Sequence, residues 1–318
     1  MELPAQAELL VEHLDDGELL ARESRPVPND ARALDIKIHP RASHIACSLR
    51  AGDRTVKGTN IFVDCGDAIE PVRRYFIVIG AMKAGTTTLF NSLASHPAMC
   101  PTWAEVPGEG TRKEINYFRK HYRRAHTPLD YDWRFPFDPA SHAWTLDVSP
   151  NYAKLMGSRS VPAHIASLGS EIKLAYILRD PIDRIESQIA HSMRDRGNVI
   201  NRQHCVRVSQ YALHLDGYVS HFPLSDILLL DFEQLRGNPA VVQAQICDFL
   251  GIEYYPASNR IHNKRSVRFR LDTNQREEFS EVLRPDVERL ISEYGFGPAE
   301  RWLRKPKRSW FQLPAFSK

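Results

Sequence analysis

Strands alternating with helices predict an α/β fold for most of this chain, with a central parallel sheet flanked by helices in three layers. Three short runs, at residues 75–79, 174–178 and 227–230, are apolar throughout, as strands buried on both faces must be. Each is followed by a stretch with helical spacing of apolar residues, at 86–95, 182–194 and 240–250, the last closed by Gly251. A final helix is expected over residues 285–294.

Residues 1–70 follow a different pattern and are expected to form an N-terminal appendage, with the α/β domain spanning 71–318. An amphipathic helix is predicted over residues 8–22, with Leu9, Leu10, Leu14, Leu19 and Leu20 on its apolar side. Short strand-like runs follow at 34–38, 45–49 and 61–65, separated by Pro, Gly, Asn and Asp.

Composition narrows the function classes. The 318 residues carry 42 Lys and Arg against 39 Asp and Glu, a net charge of +3, which argues against a nucleic-acid binder. The basic cluster Arg301, Arg304, Lys305, Lys307 and Arg308 reads as a solvated tail. The five cysteines are odd in number and none are spaced C-x-x-C, so neither a disulfide framework nor a zinc knuckle is expected. No apolar run approaches the ~18 residues of a membrane span, and the acidic N-terminus lacks the pattern of a signal peptide. A cytoplasmic setting is expected.

The most informative stretch is Gly80-Ala-Met-Lys83-Ala84-Gly85-Thr86-Thr87-Thr88, directly after a strand and opening a helix. There, successive backbone N–H groups converge and the helix N-terminus adds partial positive charge, so the loop reads as a phosphate cradle and the fold as P-loop-type. Gly80 and Gly85 have the Walker A spacing, but Thr86 stands in the lysine position and the lysine lies inside the loop, at Lys83. From there it reaches the middle of a bound group, where charge gathers on a bridging oxygen during transfer. A second signal is Arg179-Asp180-Pro181, where a strand ends and a helix begins. An arginine at a strand's C-terminal end lies where ligands bind in open α/β sheets, and its guanidinium fork suits a terminal phosphate. In the following helix, Ile182, Ile185, Ile189 and Met193 are expected to form the packed face, with Arg184, Ser187 and His191 opposite.

These residues resemble the sulfotransferases that use 3′-phosphoadenosine-5′-phosphosulfate (PAPS). Residues 83–89 look like their 5′-phosphosulfate loop and residues 178–187 like their 3′-phosphate motif. The resemblance implies that Lys83, Ala84, Gly85, Thr86, Thr87 and Thr88 hold the 5′ end and that Arg179 and Ser187 hold the 3′-phosphate. Lys113-Glu114-Ile-Asn-Tyr-Phe118 resembles the K-E-x-x-[FY]-F segment of the carbohydrate and bacterial types, in which the glutamate is the base. Two further matches are residues 232–250 and residues 285–302, the family's late strand–loop–helix and its C-terminal end. Lys264 and Arg265 match loosely the loop that closes over the donor. One departure is Asp147-Val148-Ser149, where heparan-type members carry a lysine at the middle position. Its absence removes one reason to expect a glycosaminoglycan acceptor.

Sulfuryl transfer resembles phosphoryl transfer, an in-line displacement stabilised by positioning and charge complementarity. Lys83 is expected to neutralise the bridging oxygen and Glu114 to take the acceptor's proton, with His191 a second candidate base. No metal is expected, since lysine and arginine supply the positive charge. The acceptor is a saccharide, a small metabolite or a lipid-linked intermediate. The main alternative is a P-loop nucleotide kinase, for which Ile227-Leu-Leu-Leu-Asp231 would serve as a Walker B strand; Thr86 in the lysine position stands against it. A non-catalytic docking module is a third possibility, opposed by the presence of both Lys83 and Glu114.

Overall fold

The computed structural model describes residues 7–15, 18–26, 44–51, 54–55, 61–64, 73–102, 113–120, 131–132, 134–138, 140–154, 160–196, 201–256 and 269–304. The chain divides into two compact units, Met1–Leu178 with Gly217–Arg265, and Arg179–Asp216 with Ser266–Lys318.

The first unit begins with an antiparallel sheet: β1 (Ala7–Asp15), β2 (Glu18–Pro26), β3 (His44–Ala51), β4 (Arg54–Thr55) and β5 (Ile61–Asp64), in the order β2-β1-β3-β4 with β5 also paired to β3. The helix expected over residues 8–22 is therefore a hairpin. Leu14 pairs with Leu19 and Asp15 with Glu18, a strand register that the helical spacing of the leucines masked. Strand pairing prevails because β3 supplies a period-two partner, with Leu9 opposite Leu49, Val11 opposite Cys47 and His13 opposite Ile45. The expected runs at 45–49 and 61–65 correspond to β3 and β5, whereas residues 34–38 lie outside the described residues.

The second sheet holds β6 (Arg74–Gly80), β7 (Met99–Pro101), β8 (Trp144–Val148), β9 (Glu171–Leu178) and β10 (Ile227–Asp231). All four pairings are parallel, in the order β10-β9-β6-β8-β7. Helices of this unit are α1 (Thr86–Leu93), α2 (Tyr117–Lys120) and α3 (Ser160–Ala166). The second unit contributes α4 (Pro181–Arg196) and α5 (Arg202–Ser209), and α6 (Tyr211–Val219) leads back to the first, where α7 (Phe232–Gly237) and α8 (Pro239–Leu250) follow β10. The fold is thus α/β with a parallel sheet flanked by helices. β6, first in the chain, lies at the centre: β7 and β8 build one side, and β9 and β10 the other. This reversal marks a topological switch point, and the C-terminal ends of the strands beside it form the usual ligand crevice of open α/β sheets. Tyr75, Phe76, Ile77, Val78 and Ile79 are all buried, as their unbroken apolar run predicts. β7 and β8 were not expected, because β7 has only three residues and β8 carries Thr145 and Asp147 in its interior.

In the second unit, Ile182, Ile185 and Ile189 of α4 pack with Cys205, Leu271, Phe279 and Leu283. Two expectations are corrected here. Met193 is 51% exposed and leaves the packed face, whereas Arg184 is fully buried. Its guanidinium donates to Ser209 Oγ (2.9 Å), Gln188 Oε1 (2.7 Å) and the Cys205 carbonyl (3.1 Å), so it ties α4 to α5 and is no ligand-facing group. The last helix, α9 (Thr273–Ser292), starts well before residue 285. Asp272 and Gln275 form a reciprocal capping box at its start, and Pro285 lies inside it. Burial of Phe279, Leu283, Val287 and Leu290, at about 1.5–3 kcal/mol each, outweighs the ~3 kcal/mol that an internal proline costs.

Candidate active site

The loop after β6 has the geometry of an anion cradle. The Ala81 N–H donates to the Ile177 carbonyl (2.9 Å), tying the start of the loop to β9. Lys83 (φ 67°) and Gly85 (φ 81°) both adopt left-handed backbone, and Gly85 is the N-cap of α1. No side chain caps this helix and its first turn holds no acidic residue. Its leading N–H groups and partial positive charge therefore face outward from the helix start. Thr86 is buried, and Thr87 and Thr88 are half-buried beside it. The glycines are fixed by close approach: a Cβ at Gly80 would lie 2.9 Å from both Ala153 Cβ and Tyr176 Cε2, and one at Gly85 3.2 Å from Leu235 Cδ2 and Phe232 Cε2.

Glu114 reaches the same edge of the sheet. Its N–H donates to the Val148 carbonyl (3.1 Å) at the C-terminal end of β8, the strand beside β6. The segment after β8 then crosses to β6, where Ser149 N–H donates to Val78 O (3.1 Å) and Ala153 N–H to Ile79 O (2.9 Å). Lys83, in the loop after β6, and Glu114, bonded to the end of β8, thus lie at the C-terminal ends of adjacent parallel strands. The Lys113 ammonium pairs with the Glu114 carboxylate, which is 38% exposed. Glu114 (φ 75°) and Asn116 (φ 50°) both have left-handed backbone, which L-residues adopt only when their surroundings hold them there. Asn116 Nδ2 donates to the Glu114 carbonyl (2.7 Å), and Asn116 N–H donates to Ser149 Oγ (3.1 Å).

Beneath this segment lies Asp147, buried on β8. Its carboxylate accepts from Ser149 Oγ (2.6 Å), Tyr131 Oη (3.0 Å) and Tyr152 Oη (2.9 Å). Burial pushes its carboxyl up to about 6, against the three hydroxyl donors and the Arg134 charge, which favour the ionised form. Tyr131 and Tyr152 belong to a cluster with Tyr75, Tyr117, Phe118 and Phe135, whose rings pack against one another at centroid distances of 4.7–5.6 Å. The roles of Asp147 and Ser149 were missed in the sequence, where residues 147–149 registered only as a motif lacking its lysine. An acid and a hydroxyl two residues apart at a strand's C-terminal end were the available signal.

The second unit carries Arg179 and Ser187. Asp180 caps α4, accepting from the N–H groups of Ile182 (2.8 Å) and Asp183 (3.1 Å), and burial raises its carboxyl above the ordinary range. Tyr211 Oη donates to the Arg179 carbonyl (2.9 Å) and fixes that residue's backbone. Ser187 is buried on α4, and its hydroxyl has no hydrogen-bond partner among the described residues. Its neighbour Glu186 is also buried, bonded to Arg270 and Arg276 and accepting from Leu271 N–H (3.1 Å). His191 is half-buried on the same helix. Lys264 and Arg265 lie outside the described residues.

Asp231, the aspartate of the kinase alternative, is occupied as the N-cap of α7, where it accepts from Glu233 N–H (3.0 Å). Among the described residues, no group of three or more His, Cys, Asp or Glu side chains is placed to hold a metal ion. No helix among them is long and apolar enough to cross a membrane.

Comparison with known proteins places this geometry in context. Residues 73–281 match the family model of the sulfotransferase domain. The human bifunctional heparan sulfate N-deacetylase/N-sulfotransferase 3 is 30% identical over 200 residues, covering 56% of this chain and 22% of that protein. The mouse heparan sulfate glucosamine 3-O-sulfotransferase 3B1 is 25% identical over 195 residues, covering 56% of this chain and 46% of that protein. The chain thus spans less than half the length of these curated relatives. A sulfotransferase from Alicyclobacillus acidocaldarius shares the fold, with a TM-score of 0.55 at 22% identity, covering 74% of this chain and 100% of that one.

Proposed function

The chain belongs to the sulfotransferase domain family, and from that premise we propose that it moves a sulfuryl group from PAPS to a hydroxyl or amine of a saccharide. The observation that carries this reading is that Lys83, in the loop after β6, and Glu114, bonded through its N–H to the last residue of β8, lie at the C-terminal ends of adjacent strands. The residues present fit the donor. Gly85 leaves the start of α1 open to an anion without a capping side chain, and Ser187 holds a buried hydroxyl that lacks a partner among the described residues.

PAPS supplies the sulfuryl group on a 5′-phosphate that leaves as part of adenosine 3′,5′-bisphosphate. The Gly85 amide, Ala84 and the hydroxyls of Thr86, Thr87 and Thr88 bind the 5′-phosphate in this P-loop-type cradle. Lys83 places its ammonium on the bridging oxygen, where negative charge grows as the bond to sulfur breaks. Arg179 and Ser187 hold the 3′-phosphate, and Lys264 and Arg265 add charge over the donor. Glu114 takes the acceptor's proton as the new bond to sulfur forms. Lys113, paired with it, orients the carboxylate. A metal ion has no part in this scheme, because these cations supply the positive charge.

The saccharide acceptor is favoured by the relatives named for heparan sulfate and glucosamine. Val148, buried where heparan-type members carry lysine, points away from a requirement for a polyanionic chain. Residues 1–70 stand as an appendage to the transferase domain at 71–318, in a cytoplasmic setting. Thermal unfolding without magnesium tests the donor: adenosine 3′,5′-bisphosphate should raise the melting temperature and AMP far less. Equal stabilisation by both would remove the 3′-phosphate site from this reading, and displacement of the bisphosphate by ATP with magnesium would overturn PAPS as the donor.

A further inference from the structure

From the hydrogen bonds beneath the candidate base, we infer that Asp147 and Ser149 are positioning residues that act on sulfuryl transfer through Glu114. The inference rests on the assignment of Glu114 as the base. Three observations support it. Glu114 and Asn116 hold left-handed backbone although neither is glycine, a conformation that costs about 1–2 kcal/mol per residue and must be imposed from outside. The imposing contacts come from two consecutive residues: the Val148 carbonyl accepts the Glu114 N–H, and the Ser149 hydroxyl accepts the Asn116 N–H. Ser149 cannot choose another orientation freely, since its own proton is committed to Asp147 Oδ1 at 2.6 Å.

The other Asp147 oxygen is held by Tyr131 and Tyr152, so both carboxylate oxygens are fixed. The result is a short chain of contacts, from Asp147 to Ser149 to the Asn116 amide. Asn116 closes it by donating its side-chain amide to the Glu114 carbonyl. An ionised, buried carboxylate at the root makes the Ser149 hydroxyl a donor to it and therefore an acceptor toward Asn116. Asp147 and Ser149 are both buried, and in this proposal they act by setting where the Glu114 carboxylate sits. A shift of the order of 1 Å in such a group is worth about 10²-fold in rate.

The test needs no knowledge of the acceptor, because water can take its place. In PAPS hydrolysis a water oxygen bonds to sulfur and the bond from sulfur to the 5′-phosphate oxygen breaks. The water proton passes to Glu114, and sulfate and adenosine 3′,5′-bisphosphate are released. Release of the bisphosphate at saturating PAPS should be measured for wild type, Ser149→Ala, Asp147→Asn, Glu114→Gln and the double variant Glu114→Gln with Ser149→Ala. Ser149→Ala and Asp147→Asn should each lower kcat by ~10- to 10²-fold. The KM for PAPS and the bisphosphate-induced rise in melting temperature should stay near wild type. In the Glu114→Gln background Ser149→Ala should have no further effect, because its route to the chemistry is already gone. Ser149→Thr, which keeps the hydroxyl, should restore most of the rate. Additive losses in the double variant, or a single variant that keeps full kcat, would overturn the positioning role. If Glu114→Gln itself keeps full rate, the assignment of the base fails instead. A variant that loses the bisphosphate response has been disrupted globally; Asp147→Asn, nearly isosteric, then decides the question.

Discussion

The backbone N–H of Glu114 donates to the Val148 carbonyl at 3.1 Å, so the proposed base hangs from the strand next to the one that carries Lys83. Replacing its carboxylate by an amide keeps the shape and removes proton acceptance at neutral pH. Glu114→Gln should leave bisphosphate binding intact and reduce turnover by ~10²–10⁴. Steady-state kinetics with labelled PAPS decide it. A variant with near-normal turnover moves the search for the base to His191.

Lys83 is proposed to act on charge that appears only as the bond to sulfur breaks. Lys83→Ala should therefore lower kcat by ~10²–10³ while the affinity for PAPS changes little. Comparing kcat with a separately measured Kd separates the two effects. Weak binding with normal turnover at saturation would make Lys83 a binding residue alone.

Arg179 and Ser187 are assigned to the 3′-phosphate. Arg179→Ala should weaken adenosine 3′,5′-bisphosphate by about 1.5–3 kcal/mol, and Ser187→Ala by about 1 kcal/mol, with AMP binding nearly unchanged for both. Isothermal titration with the two nucleotides reads the difference directly. Equal losses for AMP would show that the two residues serve some other part of the ligand, or the fold.

Gly85 combines a left-handed backbone with close neighbours at Leu235 and Phe232. Gly85→Ala should cost about 1–2 kcal/mol in backbone conformation alone, and it should blunt the thermal response to bisphosphate by displacing the start of α1. A variant as stable and as responsive as wild type would remove the conformational requirement.

Burial raises the Asp147 carboxyl from 3.8 to about 6, so the folded protein keeps a proton that the unfolded chain has released. That contribution to stability is complete below 3.8 and is lost as the pH rises through about 6. The groups facing Asp147 are Tyr131 and Arg134, Tyr152 and, from α6, Tyr218; the three buried tyrosines are all pushed well above 10 and stay neutral throughout. His214 slopes the other way: burial and Arg184 lower its imidazole from 6.5 to about 4, so its contribution is present above 6.5 and lost as the pH falls through about 4. The two oppose each other in the wild type, and only a difference curve isolates Asp147. Asp147→Asn should gain on wild type by up to roughly 3 kcal/mol between about pH 4 and pH 7 in denaturant titrations. A flat difference would mean that the carboxyl ionises as it does in the unfolded chain.

The strands that lead into Lys83 and Arg179 were legible in the sequence because their signals are local, whereas β8 was not. An unbroken apolar run marked β6, β9 and β10, and Gly251 marked the end of α8 through its left-handed backbone. What could not be read depended on partners far along the chain. The leucines of residues 8–22 fit a helix until β1 is paired with both β2 and β3. Asp147 looks like a surface acid until Tyr131 and Tyr152 are placed against it. Arg184 fell opposite the packed face by helical spacing, and only Ser209 and Cys205 on the next helix show why it turns inward.

The central place of β6 has a consequence for how the protein comes into being. Its neighbours are distant in the chain: Tyr75 pairs with Thr145 on one side and Arg74 with Glu171 on the other. Synthesis therefore delivers a strongly apolar strand, and the glycine loop after it, long before either flank exists to cover them. Parallel pairings of such wide separation form slowly, because chain closure must come before any pairing is gained. In that interval a bare apolar strand is open to association with other chains. The nascent protein should therefore depend on chaperones between the emergence of residue 80 and that of residue 178, and a ribosome-bound fragment ending at β8 should already shield one side of β6.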